Sequence, residues 1–240
     1  TRYTTVSWAR DVYKRQILDR VVAHSPDYDG DIDEALARIS AALSKSGAQT
    51  RRWLSDEQRP IEMACEAVDD ALTEAGLTRG DIGLVMHVGL GRGFMEAGQA
   101  SFVAQALGIP EAHCFDVMDA CQSWSRGLLL AHSLLAQGVY DTIAVVNTEC
   151  NMIEGGICYP ACFQLTSATD LRHSYAGMTL ADGVAATILR RSDSDWSFRF
   201  RSRADAADLC AVPADGYRLY AQPSDLSLIH ISEPTRRSYI

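Results

Sequence analysis

Cys121 is the residue in this chain best placed for chemistry. It stands where a strand-like run, FDV, gives way to a long apolar helix, inside the segment from His113 to Glu149 that reads strand, tight junction, helix, strand. A helix N-terminus carries unpaired N–H groups and about half a positive charge, so a thiol held there ionises more readily. The thiolate is the nucleophile. The same spacing also suits a small core cysteine, and sequence geometry alone leaves both readings open. Glu96, twenty-five residues earlier, follows Phe94 and Met95 on a loop leading into a helix. It can be a solvated acid near a helix start, or a base in a dry cleft.

Other chemistry-bearing residues give weaker patterns. The glycines of GLGRG (Gly89, Gly91, Gly93) follow a strand but lack the third-glycine spacing of a dinucleotide fingerprint, so they are read as a tight backbone turn. His87 and His132 fall in apolar elements and read as packed or hydrogen-bonded core groups; His24, His113, His173 and His230 show no metal-binding spacing, and none pairs with Cys121 by sequence. The seven cysteines include no C-x-x-C, and the C-x-x-x-C of Cys158 and Cys162 has no second half. No metal and no cofactor are expected, and an odd cysteine count fits a reducing cytoplasm.

The elements that must position Cys121 follow from periodicity. Its helix places Trp124, Leu128, Ala131 and Leu135 on one stripe beside Leu129, Leu130 and Leu134, a width that predicts a buried helix. Helices are also predicted at 32–45, at about 60–75 ending on Gly76, and at roughly 99–107. The runs IGLVMHVG, 142–148 and LADGVAATILRRS predict buried strands, and 149–177 reads as irregular. Strands alternating with helices imply a layered α/β fold with a mostly parallel mixed sheet.

With 240 residues, 47% hydrophobic and 22% charged, the chain can bury a full core. Its net charge of −9 argues against a nucleic-acid surface, and it holds no apolar run long enough to span a membrane. Residues 6–16 and 226–240 match no neighbouring periodicity and resemble translated adapter sequence, so 1–16 and 226–240 are set aside as non-native. The domain proper is expected over 17–225.

These residues together resemble the N-terminal half of the thiolase superfamily, in particular the β-ketoacyl-acyl-carrier-protein synthase III group. SGAQTRRW is similar to the family's turn after the first helix, FDVMDAC to the segment ending in the nucleophilic cysteine, QGVYDTIAVVNTE to the next strand, and LADGVAATIL to its Gly-Asp-Gly-Ala turn and strand. RGFMEAGQA resembles the Arg-x-Phe-x-Glu segment of the branch that joins two acyl chains head to head. The resemblance implies a thiolase-like layered fold, truncated to roughly the N-terminal half, with Cys121 as acyl-accepting nucleophile and Glu96 as base. It implies an acyl-CoA or acyl-carrier-protein thioester as substrate, carbon–carbon bond formation in fatty-acid metabolism, and a cytoplasmic homodimer. The chain departs from the family at DACQSW, where Ala-Cys-Ser/Ala-Gly-Phe is usual, and at LADG, where Phe-Gly-Asp-Gly is usual. No matching histidine motif or Asn-Gly turn follows residue 200, so this stretch is expected to be inactive alone. Alternatives on the same fold are acyl transfer to oxygen or nitrogen, and a non-catalytic partner subunit.

Overall fold

The computed structural model describes residues 3–5, 10–47, 49–91, 96–193 and 196–205. Along the chain run β1 (Tyr3–Thr5), β2 (Arg10–Tyr13), α1 (Lys14–His24), α2 (Ile32–Lys45), β3 (Thr50–Trp53), α3 (Pro60–Ala75), β4 (Leu84–Val88), α4 (Gln99–Leu107), β5 (His113–Val117), α5 (Ser123–Ala136), β6 (Thr142–Glu149), α6 (Ala168–Ser174) and β7 (Gly183–Arg190). The described residues form two compact units, those within 1–10, 52–156 and 181–199 in the first, and those within 11–51, 157–180 and 200–205 in the second. The segment set aside at 1–16 contains β1, β2 and the first turn of α1; 226–240, with His230 and Cys210, lies outside the described residues.

The first unit is built on a five-stranded sheet of order β1-β7-β6-β4-β5. Strands β4 and β5 pair in parallel, as do β4 and β6, whereas β7 runs antiparallel to both β6 and β1. Four strands therefore point one way and β7 alone points the other, which bears out the mostly parallel mixed sheet.

Period-two alternation divides the sheet residues between two faces. Val85, Ala144, Val146, Ala186 and Ile188 pack with Met63, Ala67, Ala71 and Leu72 of α3 and Ala100, Val103 and Leu107 of α4. Leu84, Met86, Val88, Ile143, Val145 and Leu189 pack with Leu128, Ala131 and Leu135 of α5. The result is helix, sheet, helix. Both α3 and α4 stop where expected, because Gly76 (φ 67°) and Gly108 (φ 71°) take the left-handed conformation that closes a helix. The broad apolar surface of α5 is used on one side only among the described residues: Leu128 is buried and Leu130 is exposed.

Asp182 joins the long connections of this unit. Its carboxylate accepts N–H bonds from Leu54 (3.0 Å) and Met152 (2.9 Å), and its own N–H donates to the Arg52 carbonyl (2.8 Å). The aspartate of LADG thus holds the chain after β3 against the chain after β6.

In the second unit α1, α2 and α6 bury Ile17, Val21, Ile39, Leu43 and Leu171, with Phe163 and Leu165 alongside. The Ser25 hydroxyl donates to the Phe163 carbonyl (2.7 Å) and accepts from the Leu165 N–H (2.9 Å). Helix α6 was not expected in the stretch read as irregular, although Ser167 and Asp170 form a reciprocal capping box at its start.

Two stability tests follow. A Cβ on Gly127 of α5 would stand 2.8 Å from a Val88 methyl and 3.4 Å from the Met86 sulfur. Gly127→Val is expected to cost about 1–3 kcal/mol by overpacking, read as a lower Tm. Arg51 is only 3% exposed, and its three guanidinium nitrogens have no hydrogen-bond partner among the described residues. Burial holds its pKa below the ordinary arginine value. Replacing buried ionic groups by well-packed apolar side chains of similar volume is neutral or stabilising by about 1–4 kcal/mol, so Arg51→Met is expected to keep or raise Tm. A fall would count against this account of Arg51.

Candidate functional site

The parallel strands end at one edge, at Val88 of β4 and Val117 of β5, while β6 runs two residues past their register partner Asn147 to Glu149. Open α/β sheets place ligands at this C-terminal edge. Two glycines shape it. Gly89 has φ +122°, which an L side chain rarely adopts, and a side chain there would collide with Asn147 and Glu149. A Cβ on Gly91 would run into the Thr148 carbonyl. The turn is therefore pressed onto the end of β6, as the tight-turn interpretation of these glycines requires; Gly93 lies outside the described residues.

Side chains of β4 and β6 hold that turn. Asn147 Nδ2 donates to the Val88 carbonyl (2.6 Å), Glu149 Oε1 accepts from the Leu90 N–H (2.9 Å), and the Thr148 hydroxyl donates to the Gly91 carbonyl (2.9 Å). Buried His87 lies 2.7 Å from the same hydroxyl. Since that hydroxyl spends its proton on Gly91, His87 Nε2 must be the donor. His87 is a satisfied core histidine, as its position in an apolar strand suggests.

Cys121 stands on the neighbouring connection, between β5 and α5, and it is exposed. The chain turns sharply just before it. Ala120 has φ +45°, the one non-glycine positive φ among the described residues, and Asp119 and Cys121 bridge across the bend. A left-handed alanine costs about 1–2 kcal/mol, and backbone strain of this kind persists only where the surroundings impose it. The Gln122 N–H donates to the Asp119 carbonyl (2.9 Å) and the Ser123 N–H to the Ala120 carbonyl (3.1 Å). Helix α5 then begins at Ser123, and the Gln122 side chain makes no capping bond to it. The thiol therefore precedes a helix N-terminus that no side chain of the N-cap residue closes.

Glu96 is exposed and precedes α4, at the same edge of the sheet. An unexpected residue anchors this segment: Asp116 of β5 accepts from the Gln99 N–H (2.8 Å) and the Ala100 N–H (2.9 Å), capping α4 from across the sheet. Gly98 fits closely against it, since a Cβ there would meet Asp116 Oδ1 at 3.1 Å. Both sequence-predicted site residues thus belong to connections rooted on β5, Glu96 through Asp116 and Cys121 through the chain itself. Phe94 and Met95 lie outside the described residues.

The remaining described imidazoles have other partners. His113 Nδ1 is 2.7 Å from the Tyr140 hydroxyl, His24 Nε2 is 3.2 Å from the Tyr159 hydroxyl, and His132 stacks on Trp196. His132 also lines a cavity of about 370 Å³ with Leu135, Ile188, Arg190 and Trp196. That cavity is at the far end of α5 from Cys121. Among the described residues no group of three or more His, Cys, Asp and Glu could hold a metal ion. The cysteines differ sharply in setting. Burial pushes the Cys150 thiol up to about 12 and raises that of Cys162, and burial also raises Cys65 and Cys114. Of the six described free cysteines, Cys121 is the one fully at the surface.

No family model matches the chain. It is 28% identical over 150 residues to β-ketoacyl-acyl-carrier-protein synthase III 1 of Streptomyces avermitilis, covering 62% of this chain and 38% of that protein. It is also 28% identical over 155 residues to the acyl-CoA:acyl-CoA alkyltransferase of Xanthomonas campestris, covering 62% of this chain and 44% of that one. The chain spans about half the length, or less, of the curated relatives it matches. Among solved structures, Xanthomonas campestris OleA superimposes with a TM-score of 0.66 at 21% identity, covering 80% of this chain and 55% of that one. That structure is a cysteine-to-serine variant with bound lauric acid and lauroyl-CoA. OleA with bound cerulenin gives the same TM-score at 22% identity. Over the part it shares with OleA, the chain therefore has the same thiolase-like layered fold, and in sequence it resembles the synthase III and acyl-CoA alkyltransferase enzymes.

Proposed function

We propose that this chain is part of an acyl-thioester condensing enzyme in which Cys121 carries the acyl group. The observation that supports this most directly is the exposed thiol on a strained elbow ahead of α5, at the C-terminal edge of the parallel strands. The Cys121 thiolate attacks the carbonyl of an acyl-CoA or acyl-carrier-protein thioester. A new carbon–sulfur bond forms, and the CoA or carrier thiolate leaves. The transient oxyanion is met by N–H groups at the start of α5. A second thioester becomes a carbon nucleophile, by decarboxylation or by loss of an α-proton to Glu96. It attacks the acyl-cysteine, the carbon–carbon bond forms, and the Cys121 thiolate is released.

Glu96 is assigned the base's role by its place at the same edge of the sheet, on a segment attached through Asp116 to the strand that leads to Cys121. The head-to-head branch is supported by the acyl-CoA:acyl-CoA alkyltransferase among the relatives, and by OleA structures that include variants at one glutamate. A homodimer belongs to the proposal. Strand β5 ends the sheet order, and Phe115 and Met118 beside it are exposed; open edges of this kind pair with other chains. A cytoplasmic setting agrees with six free described cysteines. No helix among the described residues is long and apolar enough to cross a membrane.

The missing donors serve condensation rather than acyl loading, so radiolabelled lauroyl-CoA is expected to acylate the chain without condensation, and Cys121→Ala should abolish the label. Label retained in that variant would sink the proposal. Iodoacetamide at pH 8 should, on peptide mapping of the six described cysteines, modify Cys121 first and spare Cys150 and Cys162, which burial keeps protonated well above that pH. Equal modification of all six would contradict the environments assigned to these thiols.

A further inference from the structure

We infer that Ser123, together with the Asp119–Arg126 pair, is a lock that holds Ala120 in its left-handed conformation and so positions the Cys121 thiol. The inference rests on Cys121 being the acyl acceptor. The Ser123 hydroxyl is buried, with the residue 1% exposed, and both of its hydrogen-bonding roles are used on the elbow. It donates to the Ala120 carbonyl at 2.7 Å and accepts from the Asp119 N–H at 2.8 Å. These two backbone groups flank the strained residue on either side. A hydroxyl near a helix start ordinarily serves the free N–H groups of the first turn. This one instead points back out of the helix and serves the bend.

A second tie crosses the same bend. Arg126, one turn into α5, donates through Nε to Asp119 Oδ2 at 2.6 Å. Asp119 is thus held at both its N–H and its carboxylate, and Ala120 follows it directly. Glycine would adopt φ +45° freely, but alanine needs such restraint. The Ser123 tie departs from the resembling family, which usually has glycine at that position. They act on Cys121 only through the backbone, so Ser123 and Arg126 are positioning residues.

The test measures Cys121 acylation by radiolabelled lauroyl-CoA and Cys121 alkylation by iodoacetamide, each across a pH series, with Tm recorded for every variant. Ser123→Ala is expected to slow both reactions about tenfold, as loss of two buried hydrogen bonds allows. Adding Ala120→Gly to Ser123→Ala should restore much of the loss, because glycine takes the bend without the lock; a purely global destabilisation predicts no such rescue. Unchanged rates in Ser123→Ala, or no recovery in the double variant, overturn the lock. Were Ser123→Ala to lose its fold, Arg126→Ala at the partly exposed end of the lock carries the test. Slower alkylation then supports the proposal and an unchanged rate overturns it. Failure of the acyl-acceptor reading looks different: alkylation still responds to these variants while no variant, nor the parent chain, takes acyl label.

Discussion

The seat of α5 on the sheet is the constraint on which the rest of the site depends. Gly127 lets the helix backbone approach the Val88, Met86 and Val145 side chains more closely than any other residue would allow. Leu128, Ala131 and Leu135 then complete that face of the core. With the helix axis fixed against β4 and β6, its first turn has a fixed height at the C-terminal edge. The chain leaving β5 must reach that turn in the few residues after Val117, and it does so by bending at Ala120. The strain at Ala120 therefore follows from close packing lower down the helix. Packed interiors transmit such constraints because they do not deform continuously.

Carboxylates and amides, more than apolar contacts, organise the edge itself. Asp116 caps α4, Glu149 and Asn147 hold the glycine turn, Asp182 ties two connections together, and Asp119 anchors the elbow. Asp116, Glu149, Asn147 and Asp182 each satisfy backbone groups of another segment, while the Asp119 carboxylate takes the Arg126 guanidinium. Buried backbone polar groups need partners, and connections converging on one edge cannot all find them in secondary structure. Polar side-chain bonds therefore gather at this edge of the first unit, while its apolar core lies between the helices and the strands.

Local signals in the sequence account for much of this fold. Helices at 32–45, 60–75 and 99–107 carry apolar spacing, and the last two carry a terminal glycine as well, so they form over the residues their periodicity indicates. The strand–Cys–helix junction was legible for the same reason. What escaped was relational. Nothing in LADGVAATIL says that β7 runs against its neighbours, because strand direction is set by partners distant in the chain. Asp116 and Ser123 looked like ordinary polar residues in FDVMDACQSW; their roles depend on which backbone groups the fold brings within 3 Å of them. Helix α6 did have a local signal, Ser167 with Asp170, but seven residues give too short an apolar period to stand out.

The described thiols differ in setting, from buried to exposed. Burial beside Asp182 keeps Cys150 protonated, and burial does the same for Cys162, so both act as small apolar groups. Cys121 has the opposite setting: it is exposed and ahead of an N-terminus that its N-cap side chain leaves open. In the proposed reaction, negative charge developing on sulfur or on the oxygen of an attacked thioester meets the backbone N–H groups at the start of α5. One helix terminus can therefore favour both the nucleophile and the oxyanion, provided the elbow keeps sulfur and amides in register. That condition is geometric, and the hydroxyl of Ser123 and the carboxylate of Asp119 are the groups that meet it.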